Sequence, residues 1–525
     1  MFYDFSCLAK GFGDNYIIIE TTVNLSGTRF MKRIALVVAL GAAFTLTASA
    51  AYADPADSVV KITAFTRFPD PNRPWEKPKP KEGSGSGVYI GGNRILTNAH
   101  VVNFASEIYT QWNPADEKTD AKLFAISVDL DLAVITVADE KFFNKRKPLP
   151  MSVQMPKLKD SVAVYGFPIG GAGLSITKGE VSRINSVRFG SEGHGLQIQT
   201  SAALNPGNSG GPAVSGDKMI GLVYRGILSA QNIGYIIPAE EVDFFLKNIK
   251  DGKFTGKPRL NTLTKYQPLE NDALRRSIGI DKSVTGILIF GATPDVPLKD
   301  MDILTKIGEH AIDNRGNVQL GEGVSAFFTY LVPKVVKNNN IPITLRRDGK
   351  LISIQLKADT IDRSLIRSYG NDPIPYFLHG PLVFVPTRQE DVNDFYARKN
   401  LYSHESPLTI RRTDYSRFPG EELVVVSAQF RHKVANGYFD HSGQVIKSVN
   451  GVAIKNMRHL VETLRDAKDP FVKIAFAEES SESMVFDRTE MENATEQLIE
   501  ELGIAPARRG SPELMEIWRG KKKTP

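Results

Sequence analysis

Three short segments of the sequence carry the residue types from which a nucleophilic hydrolase can be built. His100 lies at the end of a strand-like run, Asp131 opens the apolar run 132–137, and Ser209 is flanked by glycines. A carboxylate that opens an apolar strand needs a hydrogen-bond donor, because burying it without a partner is costly. Ser209 is a weak nucleophile until a base takes its proton. His100 suits that role, with Asp131 fixing the imidazole tautomer.

The order of these residues along the chain separates two kinds of serine hydrolase. His100 precedes Asp131 by 31 residues, and Asp131 precedes Ser209 by 78, which is the His, Asp, Ser order of the chymotrypsin type. The stretch 207–211 also matches the G-x-S-x-G elbow of α/β-hydrolases, but that elbow must be followed by a helix. Here a turn and the strand-like run 219–224 follow, so the elbow interpretation fails.

The glycines around the serine predict the second half of the catalytic machinery. Glycine adopts backbone angles that other residues avoid, so successive N–H groups can point into one concavity. Such a concavity stabilises the oxyanion of a tetrahedral intermediate. The predicted oxyanion hole consists of the backbone N–H groups of Gly207, Asn208 and Ser209.

The residues around these segments read as many short strands. Runs such as 87–90, 94–97, 132–137 and 161–165 are strand-like, and their close spacing predicts an antiparallel barrel or sandwich. An amphipathic helix is predicted over 239–250. Residues 69–86, rich in Pro, Lys, Gly and Ser, read as a surface loop. The catalytic domain is placed at 54–252.

The second half of the chain reads as a weak internal repeat. Residues 256–360 and 380–480 show the same order of strand, loop, strand, tight turn and helical stretch. Modules of this kind are usually binding domains. Residues 481–525 are interpreted as a C-terminal tail with one short helix.

The N-terminal region predicts secretion. Residues 31–53 combine a short basic region, an apolar core and a small-residue cleavage site, as a cleaved signal peptide does, so residues 1–30 indicate a mis-called start. A periplasmic protein without stable membrane insertion is expected. Cys7 is the one cysteine, and the net charge of +6 over 525 residues gives no case for nucleic-acid binding. No metal-ligand spacing is present, and no metal or other cofactor is expected.

Five segments resemble the HtrA (Deg) family of trypsin-fold serine proteases. They are 97–102, 131–134, 164–171, 200–212 and 232–238. The resemblance implies a mainly β chain, with a chymotrypsin-like double β-barrel followed by two PDZ-like α+β domains. It also implies homotrimers or multiples of trimers, and ATP-independent degradation of unfolded proteins. The second module is divergent, which favours the plant-type Deg subgroup.

The resemblance also implies a substrate-binding region. Loops near 168–175 and 225–233 would form the activation switch and part of the primary specificity pocket. The implied substrate-binding residues are Leu204, Asn205, Arg225 and Ile233. No acidic residue occurs in 200–205, so cleavage is expected after small or medium aliphatic residues of an unfolded protein or peptide.

Two departures leave alternatives open. PDZ domains capture a peptide C-terminus on a Gly-containing loop, but the chain has Pro258 and Arg259 at that place in the first module. In the second module, Pro381 removes one backbone donor. Assembly or regulation is an equal interpretation of these modules. A holdase chaperone with secondary proteolysis and a PDZ scaffold are the alternatives to an endopeptidase. Aromatic residues before the barrel, including Trp75, are expected at trimer contacts.

Overall fold

The computed structural model describes residues 54–171, 173–226, 233–260, 265–292, 296–321, 323–368, 370–390, 392 and 405–520. The predicted signal peptide at 31–53, residues 1–30 and Cys7 lie outside these ranges. Within them, no helix combines the length and the apolarity needed to cross a membrane.

The first barrel is a closed sheet of six antiparallel strands in the order β1-β2-β3-β6-β5-β4. Its strands are β1 (Val59–Thr66), β2 (Lys81–Gly91), β3 (Arg94–Thr97), β4 (Ala105–Gln111), β5 (Thr119–Ser127) and β6 (Leu132–Val137), and one short helix, α1 (Ala99–Val102), follows β3. Side chains alternate across β6, as in any strand. Ala133, Ile135 and Val137 are buried in the barrel core.

The second barrel repeats this design with the order β10-β11-β12-β9-β8-β7. Its strands are β7 (Ser161–Gly166), β8 (Ser175–Arg188), β9 (His194–Thr200), β10 (Pro212–Ser215), β11 (Lys218–Gly226) and β12 (Gly234–Pro238). The predicted amphipathic helix is present as α2 (Ala239–Lys247), and the pair β13 (Ile249–Lys250) and β14 (Lys253–Phe254) follows it. Val242 and Phe245 of α2 are fully buried.

A shared apolar layer joins the two barrels. Leu132 and Val134, on the opposite face of β6 from the barrel core, pack in one cluster with Leu222 and Ile237 of the second barrel and Phe245 of α2. Strands that are buried on both faces read as continuous apolar runs. The run 132–137 therefore has its apolar character because one face lines a barrel and the other face contacts the second barrel.

Strand β2 corrects one sequence interpretation. Residues 81–86 were interpreted as part of a surface loop, but they form the first half of β2 and pair with β1. Small residues are required there because neighbours approach closely. A Cβ on Gly85 would lie 2.7 Å from the Val101 side chain, and one on Gly87 would lie 2.6 Å from Ile95. The small residues at 85–87 therefore reflect tight packing.

The first C-terminal module is built on a seven-stranded sheet. Its order is β15-β23-β22-β18-β17-β16, with β19 paired to β18, and a separate hairpin of β20 and β21 completes it. The elements are β15 (Arg259–Leu260), β16 (Lys265–Pro268), α3 (Asp272–Ser277), β17 (Ile287–Phe290), β18 (Ile303–Ile307), β19 (His310–Ala311), β20 (Asn317–Gly321), β21 (Val324–Phe327), α4 (Val332–Val335), β22 (Asn340–Arg347) and β23 (Lys350–Asp359).

The second module contains two small sheets with helices packed against them. The sheets have the orders β24-β25-β26 and β28-β27-β29-β30. The elements are β24 (Phe377–His379), β25 (Leu382–Pro386), α5 (Pro407–Ile410), β26 (Val424–Gln429), β27 (Ile446–Val449), β28 (Val452–Ala453), α6 (Met457–Asp466), β29 (Phe471–Phe476), β30 (Met484–Asp487), α7 (Arg488–Glu501) and α8 (Pro512–Trp518).

The C-terminal region corrects a second interpretation. Residues 481–520 are an integral part of the second module, whereas the sequence was interpreted as a tail with one helix. Leu514 and Met515 of α8 lie in the same buried cluster as the core strands. The N–H of Leu378 donates to the carbonyl oxygen of Arg509 at 2.8 Å, so the chain's own C-terminal segment pairs with β24. Polar residues on the exposed faces of α7 and α8 concealed this packing in the sequence.

The second module also contacts the first barrel. The indole of Trp75 packs against the rings of Tyr376 and Phe430, at centroid distances of 5.9 and 6.1 Å. The backbone N–H of Phe104, just beyond α1, donates to the side-chain oxygen of Asn371 at 2.6 Å. Trp75 is partly buried within its own chain, and its expected place at a trimer contact stays a prediction.

Candidate active site

His100 is positioned by the end of β3 and the start of α1. The strand ends at Thr97, and the buried Asn98 precedes the four-residue helix that contains His100. The side-chain amide of Asn98 donates to the backbone carbonyl of Asp131 at 2.9 Å. This contact ties the histidine segment directly to the segment that carries the predicted acid.

Asp131 sits in a tight turn and faces His100. Its N–H donates to the carbonyl of Val128 at 3.1 Å, and its φ of +53° lies in the left-handed region. Its Oδ1 accepts the backbone N–H of His100 at 2.9 Å, and its Oδ2 lies 2.8 Å from Nδ1 of the ring. A carboxylate can only accept, so Nδ1 carries the hydrogen and Nε2 presents a lone pair.

The environment of His100 shifts its proton affinity. Partial burial of the ring disfavours the imidazolium, but the hydrogen bond and the negative charge of Asp131 together outweigh that effect. The pKa of His100 is therefore raised above 6.5. The imidazolium that forms when a nucleophile loses its proton is stabilised by the same contact.

Ser209 lies in the loop between β9 and β10, opposite the histidine segment. A Cβ placed on Gly85 of β2 would lie 2.7 Å from Val101 of α1 and 3.2 Å from the carbonyl oxygen of Ser209, so helix and loop converge on one strand. The Ser209 hydroxyl donates to the carbonyl of Tyr224 at 3.3 Å. Within the described residues it makes no hydrogen bond to His100, although such bonds often tighten only when substrate binds.

Two backbone donors beside the nucleophile have no protein acceptor among the described residues. The N–H groups of Gly207 and Ser209 donate to no atom of the described residues. The N–H of Asn208, by contrast, donates to the carbonyl of Asn205 at 3.0 Å. Asn208 was predicted as a third donor of the oxyanion hole, and the structure corrects this, because its N–H is already used within the loop.

Positive φ angles and close approaches explain the glycines of this loop. Gly207 has a φ of +101°, and a Cβ on it would lie 2.4 Å from the carbonyl oxygen of Phe167. Gly210 has a φ of +84°, and its Cβ would lie 2.1 Å from the carbonyl oxygen of Ser86. Side chains at either position would displace the backbone that carries the two donors.

Sequence reasoning missed Ser86 as a residue of the site. This serine of β2 is fully buried, and its N–H donates to the carbonyl of Ser209 at 2.8 Å. Its hydroxyl donates to the carbonyl of Gly207 at 2.7 Å and accepts the N–H of Phe167 at 2.8 Å. A Gly-Ser-Gly-Ser stretch carries no catalytic motif, so no sequence signal singled it out.

The predicted substrate-binding residues are brought together in part. Leu204 packs against the backbone of Gly234 at the start of β12, next to Ile233, which is partly exposed. The side chain of Asn205 is exposed, while its carbonyl caps the nucleophile loop. The backbone of Arg225 pairs with Tyr235, and its side chain lies outside what the structure describes.

A separate cavity lies away from the predicted catalytic residues. A cavity of about 360 Å³ between the second barrel and the first module, lined by His194, Arg259 and Phe327 among others, contains none of the predicted catalytic residues. Among the described residues, no group of His, Cys, Asp and Glu side chains could hold a metal ion.

Comparison with known proteins agrees with this architecture. A family model described as a trypsin-like peptidase domain matches residues 85–222, and one described as a PDZ domain matches 366–510. Protease Do-like 2, chloroplastic, from Arabidopsis thaliana is 31% identical over 478 residues, covering 88% of this chain and 76% of the relative. Protease Do-like 4, mitochondrial, from the same plant is 32% identical over 413 residues, covering 77% of this chain and 76% of the relative. Among solved structures, HtrA-type protease AlgW with decapeptide is 22% identical and covers 59% of this chain and 99% of its own, with a TM-score of 0.45. The chain therefore belongs to the HtrA (Deg or Do-like) family, with plant-type Deg relatives, and is a serine endopeptidase with a trypsin-like domain.

Proposed function

We propose that the protein is an ATP-independent endopeptidase of the cell envelope that degrades unfolded or damaged proteins. His100, Asp131 and Ser209 are the catalytic residues, and the N–H groups of Gly207 and Ser209 form the oxyanion hole. The observation that carries this proposal is the paired His100 and Asp131 opposite Ser209, where two adjacent backbone N–H groups have no acceptor among the described residues.

In the proposed mechanism each residue has one role. The Ser209 hydroxyl leaves the carbonyl of Tyr224, turns to Nε2 of His100 and gives it the proton while Oγ forms a bond to the substrate carbonyl carbon. The electron pair of the carbonyl moves onto its oxygen, which the two N–H groups stabilise. His100 then returns the proton to the leaving amine as the carbon–nitrogen bond breaks. Water repeats the sequence on the acyl-enzyme.

Location and assembly are further parts of the proposal. The signal-like pattern of residues 31–53 supports export to the periplasm, where the cleaved protein would carry no cysteine. The proposed substrates are unfolded protein segments. A homotrimer, or a multiple of trimers, is the proposed assembly.

Casein digestion by purified protein tests the proposal. Ser209→Ala should abolish cleavage and leave the fold intact, whereas Ser215→Ala, on β10 and away from the loop, should cleave as the unmodified protein does. Typical losses on removing a triad member are about 10⁴- to 10⁶-fold. Comparable cleavage by Ser209→Ala would refute the triad. Suppression of aggregation without any cleavage, by the unmodified protein, would instead favour a holdase.

A further inference from the structure

We propose that Ser86 is a positioning residue for the oxyanion hole, acting through its side-chain hydroxyl. The hydroxyl lies between two backbone segments of the second barrel, although Ser86 belongs to a strand of the first. It donates to the carbonyl of Gly207 at 2.7 Å and accepts the N–H of Phe167 at 2.8 Å, and Ser86 is fully buried. The inference rests on the proposed role of Ser209.

The planarity of peptide bonds turns these contacts into control of the hole. In a trans peptide the N–H points opposite to the C=O, so holding one fixes the other. The carbonyl of Pro206 accepts the N–H of Ile169 at 2.8 Å, which directs the Gly207 N–H. The carbonyl of Asn208 accepts the N–H of Gly211 at 3.0 Å, which directs the Ser209 N–H.

The peptide between these two planes is held at both of its polar groups: Ser86 donates to the Gly207 carbonyl, and the Asn208 N–H donates to the carbonyl of Asn205 at 3.0 Å. Rotation of the peptide joining Gly207 to Asn208 changes ψ of the first residue and φ of the second. Both dihedrals help to set the angle between the two donors. Glycine resists such a rotation less than any other residue, because it lacks a Cβ. The buried Ser86 hydroxyl makes two hydrogen bonds, and the one to the Gly207 carbonyl therefore restrains the peptide of the oxyanion hole that rotates most easily.

The backbone of Ser86 adds a second attachment. Its N–H donates to the carbonyl of Ser209, and its own carbonyl accepts the hydroxyl of Thr97 at 2.8 Å. Removing only the side-chain hydroxyl leaves these backbone bonds in place. It leaves the Gly207 carbonyl and the Phe167 N–H buried without this partner, which is costly. Rotation of the peptide joining Gly207 to Asn208 would let the carbonyl reach another donor.

Ser86→Ala, compared with Ser84→Ala, tests the inference in the full-length protein. Ser84 lies two residues earlier on β2, is partly exposed, and its hydroxyl has no hydrogen-bond partner among the described residues. Labelled casein reports kcat and KM, a peptide boronate reports the affinity for a tetrahedral adduct, and thermal unfolding reports the fold. Ser86→Ala should lower kcat by about tenfold to a hundredfold, with KM changed by less than about twofold. Affinity for the boronate should fall by a similar factor, because transition-state analogues follow the rate.

Each other outcome overturns the inference. Unchanged kcat in folded Ser86→Ala means that the hydroxyl does not govern the hole. A kcat loss with full boronate affinity, or a loss matched by Ser84→Ala, assigns the effect to general structure. If Ser86→Ala does not fold, Ser86→Cys keeps the size and weakens the donor, and full kcat in that variant refutes the proposal. Cleavage by Ser209→Ala would defeat the proposed function itself, and the two failures are therefore distinct.

Discussion

Replacing Asp131 by Asn changes two hydrogen bonds at once and should disable the histidine without unfolding the barrel. Asp131 accepts both the backbone N–H and the Nδ1–H of His100, at 2.9 and 2.8 Å. An amide has one acceptor oxygen and one donor nitrogen. If the oxygen keeps the backbone N–H, the NH₂ faces Nδ1 and forces the hydrogen onto Nε2, where it blocks acceptance of the serine proton.

The opposite orientation of the amide is also costly. With its oxygen on Nδ1–H, the NH₂ meets the backbone N–H of His100, and leaving that donor unpaired costs about 1–3 kcal/mol. The charge that stabilises the imidazolium is lost in either orientation. Losses of about 10⁴-fold are typical of this substitution in Ser-His-Asp enzymes, which corresponds to about 5.4 kcal/mol of barrier.

Steady-state cleavage of labelled casein by Asp131→Asn measures this loss. Asp129→Asn, in the same turn but outside the proposed triad, is the matched control and should retain activity. The thermal unfolding midpoints of both variants show whether the barrel survives. Asp131→Asn that unfolds normally and cleaves within about tenfold of the unmodified protein would refute the assigned role, since that is far short of the expected loss.

Four further outcomes are expected. Activity should rise with pH through the pKa of His100, which lies above 6.5; the neutral ring is the base, so a flat single-turnover profile from about pH 5 to 8 would contradict this. Gly207→Ala should lower kcat by about a hundredfold or more, because its Cβ would lie 2.4 Å from the Phe167 carbonyl oxygen; retained kcat would show that the loop adapts. Trp75→Ala should lower the unfolding free energy by about 1–3 kcal/mol through two lost ring contacts. The buried indole N–H of Trp75 has no hydrogen-bond partner among the described residues, so Trp75→Phe should change the unfolding free energy little. Equal losses of unfolding free energy in the two variants, measured by chemical denaturation, would contradict this account. Mass-spectrometric mapping of casein fragments should find cuts mainly after Val, Ala or Ile, and dominant cleavage after Lys, Arg or Asp would overturn the apolar pocket.

The candidate triad could be proposed from the sequence because the chemistry of its members is tied to residue type. A base, an acid and a Gly-flanked serine in one order leave few alternatives. Their supports could not be predicted in the same way. The left-handed φ of Asp131 depends on where other segments lie, and residue types do not show this. The same holds for the N–H groups of Gly207 and Ser209, which have no acceptor within the part of the chain that the structure describes.

The Gly/Ser stretch at 81–86 also could not be interpreted correctly from residue types alone. Glycine and serine are typical of turns and loops, so residues 81–86 were interpreted as a surface loop. In the fold, Gly85 and Gly87 are small because Val101 and Ile95 press against the strand, and Ser86 is small because its hydroxyl must reach Gly207. Composition alone cannot separate a residue that is small for flexibility from one that is small for contact.

The division of the proposed catalytic residues between two barrels has a consequence for the enzyme's own biosynthesis. His100 and Asp131 belong to the barrel that ends at Val137, while Ser209 and its donors belong to the barrel that ends at Pro238. If the proposed triad is correct, a copy in which only one barrel has folded holds one set without the other and should not cleave. Because the proposed substrates are unfolded chains, an immature copy could be a substrate of the mature enzyme but could not itself act as a protease. The proposed active site is complete only when the two barrels have docked, and at that stage the chain is folded and no longer resembles its own substrates.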